Sequence, residues 1–124
     1  MSIDFTKAVG IHPEALKLRA ERTKILASNI ANESTPGFQA RDMDFASALS
    51  ERMNGSDGAD AGLSLDTGDD ALKYRVPFHP AQDGSTVELG VEQAQFSQNA
   101  SDFSTSLQFL NMQLKGLAKA INGQ

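Results

Sequence analysis

The sequence predicts a mainly α-helical chain. Long N- and C-terminal helices pair in a coiled-coil-like bundle, around a partly extended, flexible middle segment with room for a small β-hairpin. Three observations carry this expectation. Apolar residues recur at Phe96, Ala100, Phe103, Leu107, Leu110, Leu114, Leu117 and Ile121 in alternating steps of four and three, the heptad seam of a helix that packs on another helix. A shorter run, Leu16, Ala20, Thr23, Ala27 and Ile30, keeps the same spacing. Between the two runs the chain is rich in Gly, Ser and Asp and has no such period.

The totals exclude several function classes. The 124 residues leave room for one domain at most. There is no Cys, hence no disulfide framework, thiolate nucleophile or Cys-based zinc site. Only two histidines, His12 and His79, occur, and they stand far apart in sequence. With no Trp and a single Tyr, Tyr74, platforms for stacking bases or sugars are not expected. No Gly-rich phosphate loop is present. The net charge of −5 lies wholly in the middle: residues 54–90 hold seven acidic and two basic side chains, while residues 1–53 hold seven of each and residues 91–124 two of each. No basic stripe exists to neutralise phosphates, so nucleic acid is not an expected partner. The opening Met-Ser-Ile-Asp-Phe-Thr lacks a basic region followed by an apolar run, so no cleaved secretory signal is expected. No stretch reaches the ~20 apolar residues of a membrane span.

In chain order, four segments are expected: an N-terminal helical segment with a post-helix turn (1–49), a flexible acidic linker (50–72), an extended arm or hairpin (73–90) and the C-terminal heptad helix (91–124). The first and last together form one helical domain. Apolar Ile3, Phe5, Val9 and Ile11 suggest a short leading helix, broken near Gly10 to Pro13. His12-Pro13-Glu14 then reads as a helix start, because Pro is tolerated in the first turn and Glu suits the helix dipole there. This helix runs to about Asn32. Its 16/20/23/27/30 face is small, which would let it lie close against the large C-terminal seam, with Leu18, Ile25 and Leu26 flanking. Two helices alone make a thin core, so coverage of the seam by another molecule is the alternative.

Asn32 is a plausible helix end. Thr35-Pro36-Gly37-Phe38 carries the type II turn signature, with Pro second and Gly third. Phe38 and Phe45 follow as apolar anchors, and the Asn29 and Asn32 amides are placed to bond backbone on both sides of the turn. Residues 46–53 read as a short helix. The Gly/Ser/Asp run 54–62 reads as linker. Asp57, Asp60, Asp66, Asp69 and Asp70 lack the spacing and flanking helices of a calcium loop, so they read as solvated and no metal is expected. Tyr74 to Phe78 and Thr86 to Leu89 are extended candidates, and Asp83-Gly84 between them suggests a hairpin. Pro77 and Pro80 argue against central strands. The final helix, Val91 to Ile121, has Glu92 in its first turn, Lys115 and Lys119 near its end and Gly123 as a stop. Each fully buried Leu, Ile or Phe contributes roughly 1.5–3 kcal/mol. Much of that would go unrealised in an isolated chain, whose two ends are therefore expected to be poorly ordered until assembly.

The stretch Asn29-Ile30-Ala31-Asn32, Thr35, Gly37, Phe38 resembles the N-terminal signature of the bacterial flagellar axial family of rod and hook proteins: a helix ending in Ala-Asn, then Thr, then Gly with an aromatic. The likeness is strongest to its proximal rod members. It runs through Leu18-Arg19, Arg22, Ile25 to Asn32, Thr35 to Gly37 and Ala40 to Phe45, and continues at Tyr74 to Pro77, Asp83-Gly84, Thr86-Val87, Phe109 to Asn111 and Lys115 to Leu117. It covers most of the chain outside roughly residues 50–70.

The resemblance implies a structural subunit of the proximal rod that assembles through its terminal helices into a torque-transmitting helical tube, with no catalysis and no cofactor. It also implies export through the flagellar type III apparatus, a periplasmic position, and as partners other rod proteins, a FliE-type adaptor and the MS ring, with no membrane insertion. The residues assigned to assembly and packing are Asn29, Asn32, Thr35, Pro36, Gly37, Phe38 and Phe45, with Phe96, Phe103, Leu107, Leu110, Leu114, Leu117 and Ile121. A cytosolic coiled-coil adaptor or export chaperone would keep the heptads but leaves Thr35 to Phe38 without a reason. A small hydrolase using Asp42 and Asp44 is disfavoured, because both are expected to face solvent.

Overall fold

A computed structural model describes residues 4–55 and 72–123. The elements are α1 (Phe5–Val9), α2 (His12–Ala31), β1 (Arg41–Met43), α3 (Phe45–Gly55), β2 (Leu72–Tyr74) and α4 (Leu89–Asn122). The chain is mainly helical, its long N- and C-terminal helices pack together, and a small antiparallel sheet joins them, as the sequence predicts. The linker expected over 50–72 starts inside α3. Most of it, with Asp57, Asp60, Asp66, Asp69 and Asp70, lies outside the described residues.

The break between α1 and α2 falls at Gly10, whose φ of +63° is a left-handed conformation that side chains with a Cβ rarely adopt. Pro13 then sits in the first turn of α2, where its missing N–H costs nothing. α2 has 20 residues and α4 has 34, lengths of about 30 and 51 Å at ~1.5 Å per residue. They run antiparallel: Asn29 meets Glu92, Arg19 meets Asp102, and the His12 ring stacks on Phe109 at 5.7 Å. α2 is therefore used up near Phe109. The last turns of α4 extend past it, beside α1 and beyond.

The two helices meet on faces different from those that apolar spacing selects. On α2 the buried residues are Ala15, Leu18, Glu21, Leu26 and Asn29, whereas Ala20 and Ala27 are exposed and Leu16, Thr23 and Ile30 half-buried. On α4 the buried residues are Glu92 and Asn99. The interface between the helices is thus led by polar side chains with specific partners. The apolar core lies on an adjoining face of α2, where Leu18, Met43 and Ala48 pack with Ile25, Phe45, Leu49 and Leu72. Leu18, expected as a flanking residue, is at the centre of that core, and Ile25, likewise expected to flank, packs against it.

The extended segments also pair differently from the expected hairpin. β2 pairs antiparallel with β1 in the register Arg41↔Tyr74, Asp42↔Lys73, Met43↔Leu72. Residues 86–89 do not pair as a strand with 74–78, which they touch through the Glu88 carboxylate accepting the Phe78 N–H. Instead, the Arg75 N–H donates to the Ala40 carbonyl (2.9 Å), the Ala40 N–H donates to Thr86 Oγ1 (2.7 Å), and the Thr86 N–H donates to the Phe38 carbonyl (3.0 Å). The arm is stitched to the segment that follows the α2 turn.

A candidate assembly site

The turn after α2 is built as its residues predict. The Phe38 N–H donates to the Thr35 carbonyl at 3.2 Å, and Gly37 at the third position has φ +73°, which closes a type II turn with Pro36 second. Asn32 ends the helix. Its Nδ2 donates to the Ser28 carbonyl (2.8 Å), and its Oδ1 accepts from Thr35 Oγ1 (3.2 Å). Its φ of −102° shows that the left-handed conformation is not used there. Asn29 works across the turn. Its Nδ2 donates to the Arg41 carbonyl (2.6 Å) and to Glu92 Oε2 (3.0 Å), and its Oδ1 accepts the Arg41 N–H (3.1 Å). The two Asn side chains therefore bond backbone on both sides of the turn. Thr35, Pro36 and Gly37 stand exposed, and Phe38 and Phe45 are half-buried.

Beside the turn lies a charged lock that joins α2, the sheet and α4. Asp42 accepts from Arg22 Nε and Nη2 at 2.9 Å each, from Arg75 Nη2 at 2.7 Å and from the Met43 N–H at 2.8 Å. Arg22 Nη2 also donates to Gln95 Oε1 on α4 (2.8 Å). Arg75 Nη1 lies 3.2 Å from Oε1 of Glu92, whose side chain is fully buried. The hydrogen bond to Asp42 raises the Arg22 pKa above its ordinary value, against the burial that lowers it. Further along the interface, Arg19 pairs with Asp102 (3.2 Å), and Asn99 Nδ2 donates to Thr23 Oγ1 (2.8 Å) and to the Arg19 carbonyl (3.0 Å). On the far side of α2, Arg52 of α3 pairs with Glu21 at 2.8 Å.

Asp42 thus does not face solvent as expected: two guanidinium groups hold it inward. Asp44 serves as the cap of α3, accepting the Ser47 N–H at 3.3 Å, with Lys73 3.3 Å from its other oxygen. Those bonds, Ser47 first, lower its pKa.

Two apolar surfaces stand exposed among the described residues. One is the α4 seam. Phe96, Leu107, Leu114 and Ile121 are 36, 41, 45 and 66% exposed, while Phe103, Leu110 and Leu117 are half-buried along its edge. The other is an extended strip on which Tyr74, Val76 and Phe78 are 63, 84 and 79% exposed. All three line an open groove of about 440 Å³, to which Val91 and Met43 also contribute. Sequence reading by apolar period finds the first surface. It misses the second, whose signal is the Tyr-x-Val-x-Phe alternation, and it misses the Arg22–Asp42–Arg75–Glu92 lock, which has no apolar signature.

Among the described residues no group of three His, Asp or Glu side chains is placed to hold a metal ion, and no helix is long and apolar enough to cross a membrane. Residues 11–39 match the family model described as "Flagella basal body rod protein". The chain is 40% identical over its whole length to the flagellar basal body rod protein FlgB of Aeromonas hydrophila, covering 99% of that protein. It is 40% identical to the protein of the same name from Salmonella typhimurium, with 94% of each chain covered. With that of Escherichia coli it shares 38% identity, with 92% of each covered.

Proposed function

The chain belongs to the flagellar basal body rod protein family, and from that premise we propose that it is a proximal rod subunit that assembles through its terminal helices into a helical tube and passes torque through it. The family is one of structural proteins, not enzymes, and its place is the flagellar basal body.

The observation that supports assembly through α4 is its uncovered seam. Phe96, Ala100, Leu107, Leu114 and Ile121 keep one exposed stripe along most of a ~50 Å helix, and a contiguous exposed apolar surface of that kind marks an interaction site. A seam on one side and different surfaces elsewhere make a heterologous contact, which repeats without closing. Stiffness then comes from many such seams in parallel, and torque passes through packing with no chemistry in any subunit. The remaining seam residues, Phe103, Leu110 and Leu117, and the turn residues Asn29, Asn32, Thr35, Pro36, Gly37, Phe38 and Phe45 set the angle at which the seam is presented. The partners on this reading are other rod proteins, a FliE-type adaptor and the MS ring. On this reading the chain reaches the periplasm through the flagellar type III apparatus.

The test is deletion of the gene with rescue by wild type and by Leu114→Asp, a substitution at an exposed position that spares the fold. Loss of swimming, absence of rods from isolated basal bodies and rescue by wild type alone support the reading. A motile deletion strain with intact basal bodies rejects it and favours a cytosolic adaptor or export chaperone, which would form a closed helical oligomer in solution.

A further inference from the structure

We infer that the polar stripe of α4 is a selector: it fixes which face of α4 lies on α2, and at what register, and so keeps the apolar seam turned outward. The inference concerns the single chain and goes beyond the assembly reading, which supplies only a use for the outward seam.

Two heptad stripes run along α4. The apolar one passes through Phe96, Ala100, Phe103 and Leu107. The other, Glu92, Gln95, Asn99 and Asp102, keeps the same alternation of three and four. By period alone either could face a partner helix, and burial of apolar area favours the first. The chain seats the second. Glu92 and Asn99 are fully buried and Gln95 and Asp102 half-buried, whereas Phe96, Ala100 and Leu107 are exposed.

The contacts of the polar stripe fit one register. As α2 runs back from Asn29 through Thr23 and Arg19 to His12, its partners on α4 run forward from Glu92 through Asn99 and Asp102 to Phe109. A slide of one heptad, about 10.5 Å, breaks the match. In one direction it sets Asp102 against Leu26 and carries Glu92 past the end of α2. In the other it keeps an acid opposite Arg22, but sets Asn99 against Ala15 and takes Asp102 from Arg19. Turning the seam onto α2 takes Gln95 from Arg22, Asp102 from Arg19 and Glu92 from Asn29. Each alternative strands polar groups at the interface, which costs free energy.

Stability alone does not account for the stripe. Arg19 Nε and Asn99 Oδ1 are buried with no hydrogen-bond partner among the described residues, and such atoms lower stability. Polar groups buried at a helix seam are best attested as devices that fix register.

The chain has no cysteine, so introduced thiols report cleanly. In the dilute, monomeric chain under mild oxidation, His12→Cys with Phe109→Cys reads the native register. His12→Cys with Gly116→Cys reads a slide of one heptad. The rate at which Phe96→Cys reacts with a maleimide reads whether the seam faces out. With the stripe intact, the first pair is expected to close several-fold faster than the second, and Phe96→Cys to react freely. Gln95→Leu, Asn99→Leu and Asp102→Leu are then combined, with circular dichroism as the check that the chain stays helical. In that background the second pair is expected to gain several-fold on the first, or Phe96→Cys to slow several-fold. An unchanged pattern in both readouts overturns the inference, because facing and register would then be set without the stripe. If the triple variant is not helical, Asn99→Leu alone decides. A thermal midpoint at or above that of the unsubstituted chain, with a larger share of the second pair, supports the selector. An unchanged share, whatever the midpoint, overturns it and makes Asn99 a packing residue only.

Discussion

Asn29 pairs with Arg41 through both backbone groups of that residue: its Nδ2 donates to the carbonyl at 2.6 Å and its Oδ1 accepts the N–H at 3.1 Å. A helix side chain thereby takes the place of a neighbouring strand for β1. The same Nδ2 reaches Glu92 on α4, so one amide fixes the distance between α2, the sheet and α4. Asn29→Ala leaves two backbone groups and a buried carboxylate oxygen without that partner. At ~1–3 kcal/mol per buried unsatisfied group, a loss of about 3 kcal/mol is expected in urea unfolding. Asn32→Ala, at the less buried helix end, is expected to cost about 1 kcal/mol and to impair rod assembly more than expression. Equal losses for the two would show that the bridge to Arg41 contributes nothing special.

The lock makes a second prediction. Asp42 is held by Arg22 and Arg75 with side chains 14 to 21% exposed. Asp42→Ala leaves Arg22 with Gln95 and Arg75 with Glu92 as their remaining partners, and removing one partner of a buried ion pair typically costs about 3–5 kcal/mol, an upper bound for this partly exposed network. Arg75→Ala removes the cation beside Glu92 and is expected to cost a similar amount. The double variant should cost less than the sum, because the two residues share one network. A strictly additive double variant would mean that the pairs act independently.

Asp44 gives a pH dependence that is separate from the lock. Its hydrogen bonds from Ser47, and then Lys73, hold its pKa below the ordinary carboxylate value. A carboxyl whose folded pKa is the lower one stabilises the folded chain fully above the unfolded pKa, and that contribution is lost as pH falls through the folded value. Docking of α3 is therefore expected to weaken only below about pH 4, and Asp44→Asn is expected to flatten the acid limb of the stability profile. Titration of the Asp44 carboxyl by NMR measures the shift directly; a midpoint at or above the ordinary value would remove the prediction.

These residues show which parts of the structure were legible in the sequence. The elements α2 and α4, the type II turn at Thr35 to Phe38 and the break at Gly10 carry local signals: period, Pro and Gly placement, and helix-end chemistry. The facing of the helices was not legible, because a search for apolar period cannot see that Glu92, Gln95, Asn99 and Asp102 form a polar stripe matched by Asn29, Arg22, Thr23 and Arg19. The β1–β2 pairing was missed for a related reason. Arg41 and Tyr74 lie 33 positions apart, whereas the signals at Asp83-Gly84 describe only a local reversal.

The same polar stripe decides how order is distributed in the free chain. Between Glu92 and about Phe109, α4 is held by side-chain hydrogen bonds and ion pairs to α2. From Met112 onward nearly every residue is exposed, Leu117 being half-buried, and among the described residues no side-chain hydrogen bond or ion pair ties this stretch to α2, only packing beside the short α1. Isolated helical segments of this length are marginal in water. Amide exchange in the dilute chain is therefore expected to show protection across residues 92–106 and fast exchange across 112–122, with the second stretch becoming protected on assembly. This refines the expectation that both ends are loose: the start of α4 is fixed by the fold, and its last three turns await a neighbour. Equal protection along all of α4 in a dilute, monomeric sample would mean that the overhang is stable alone. Covering Leu114 and Ile121 would then add packing to an ordered helix without first having to order it, and the entropic cost of assembly would fall elsewhere.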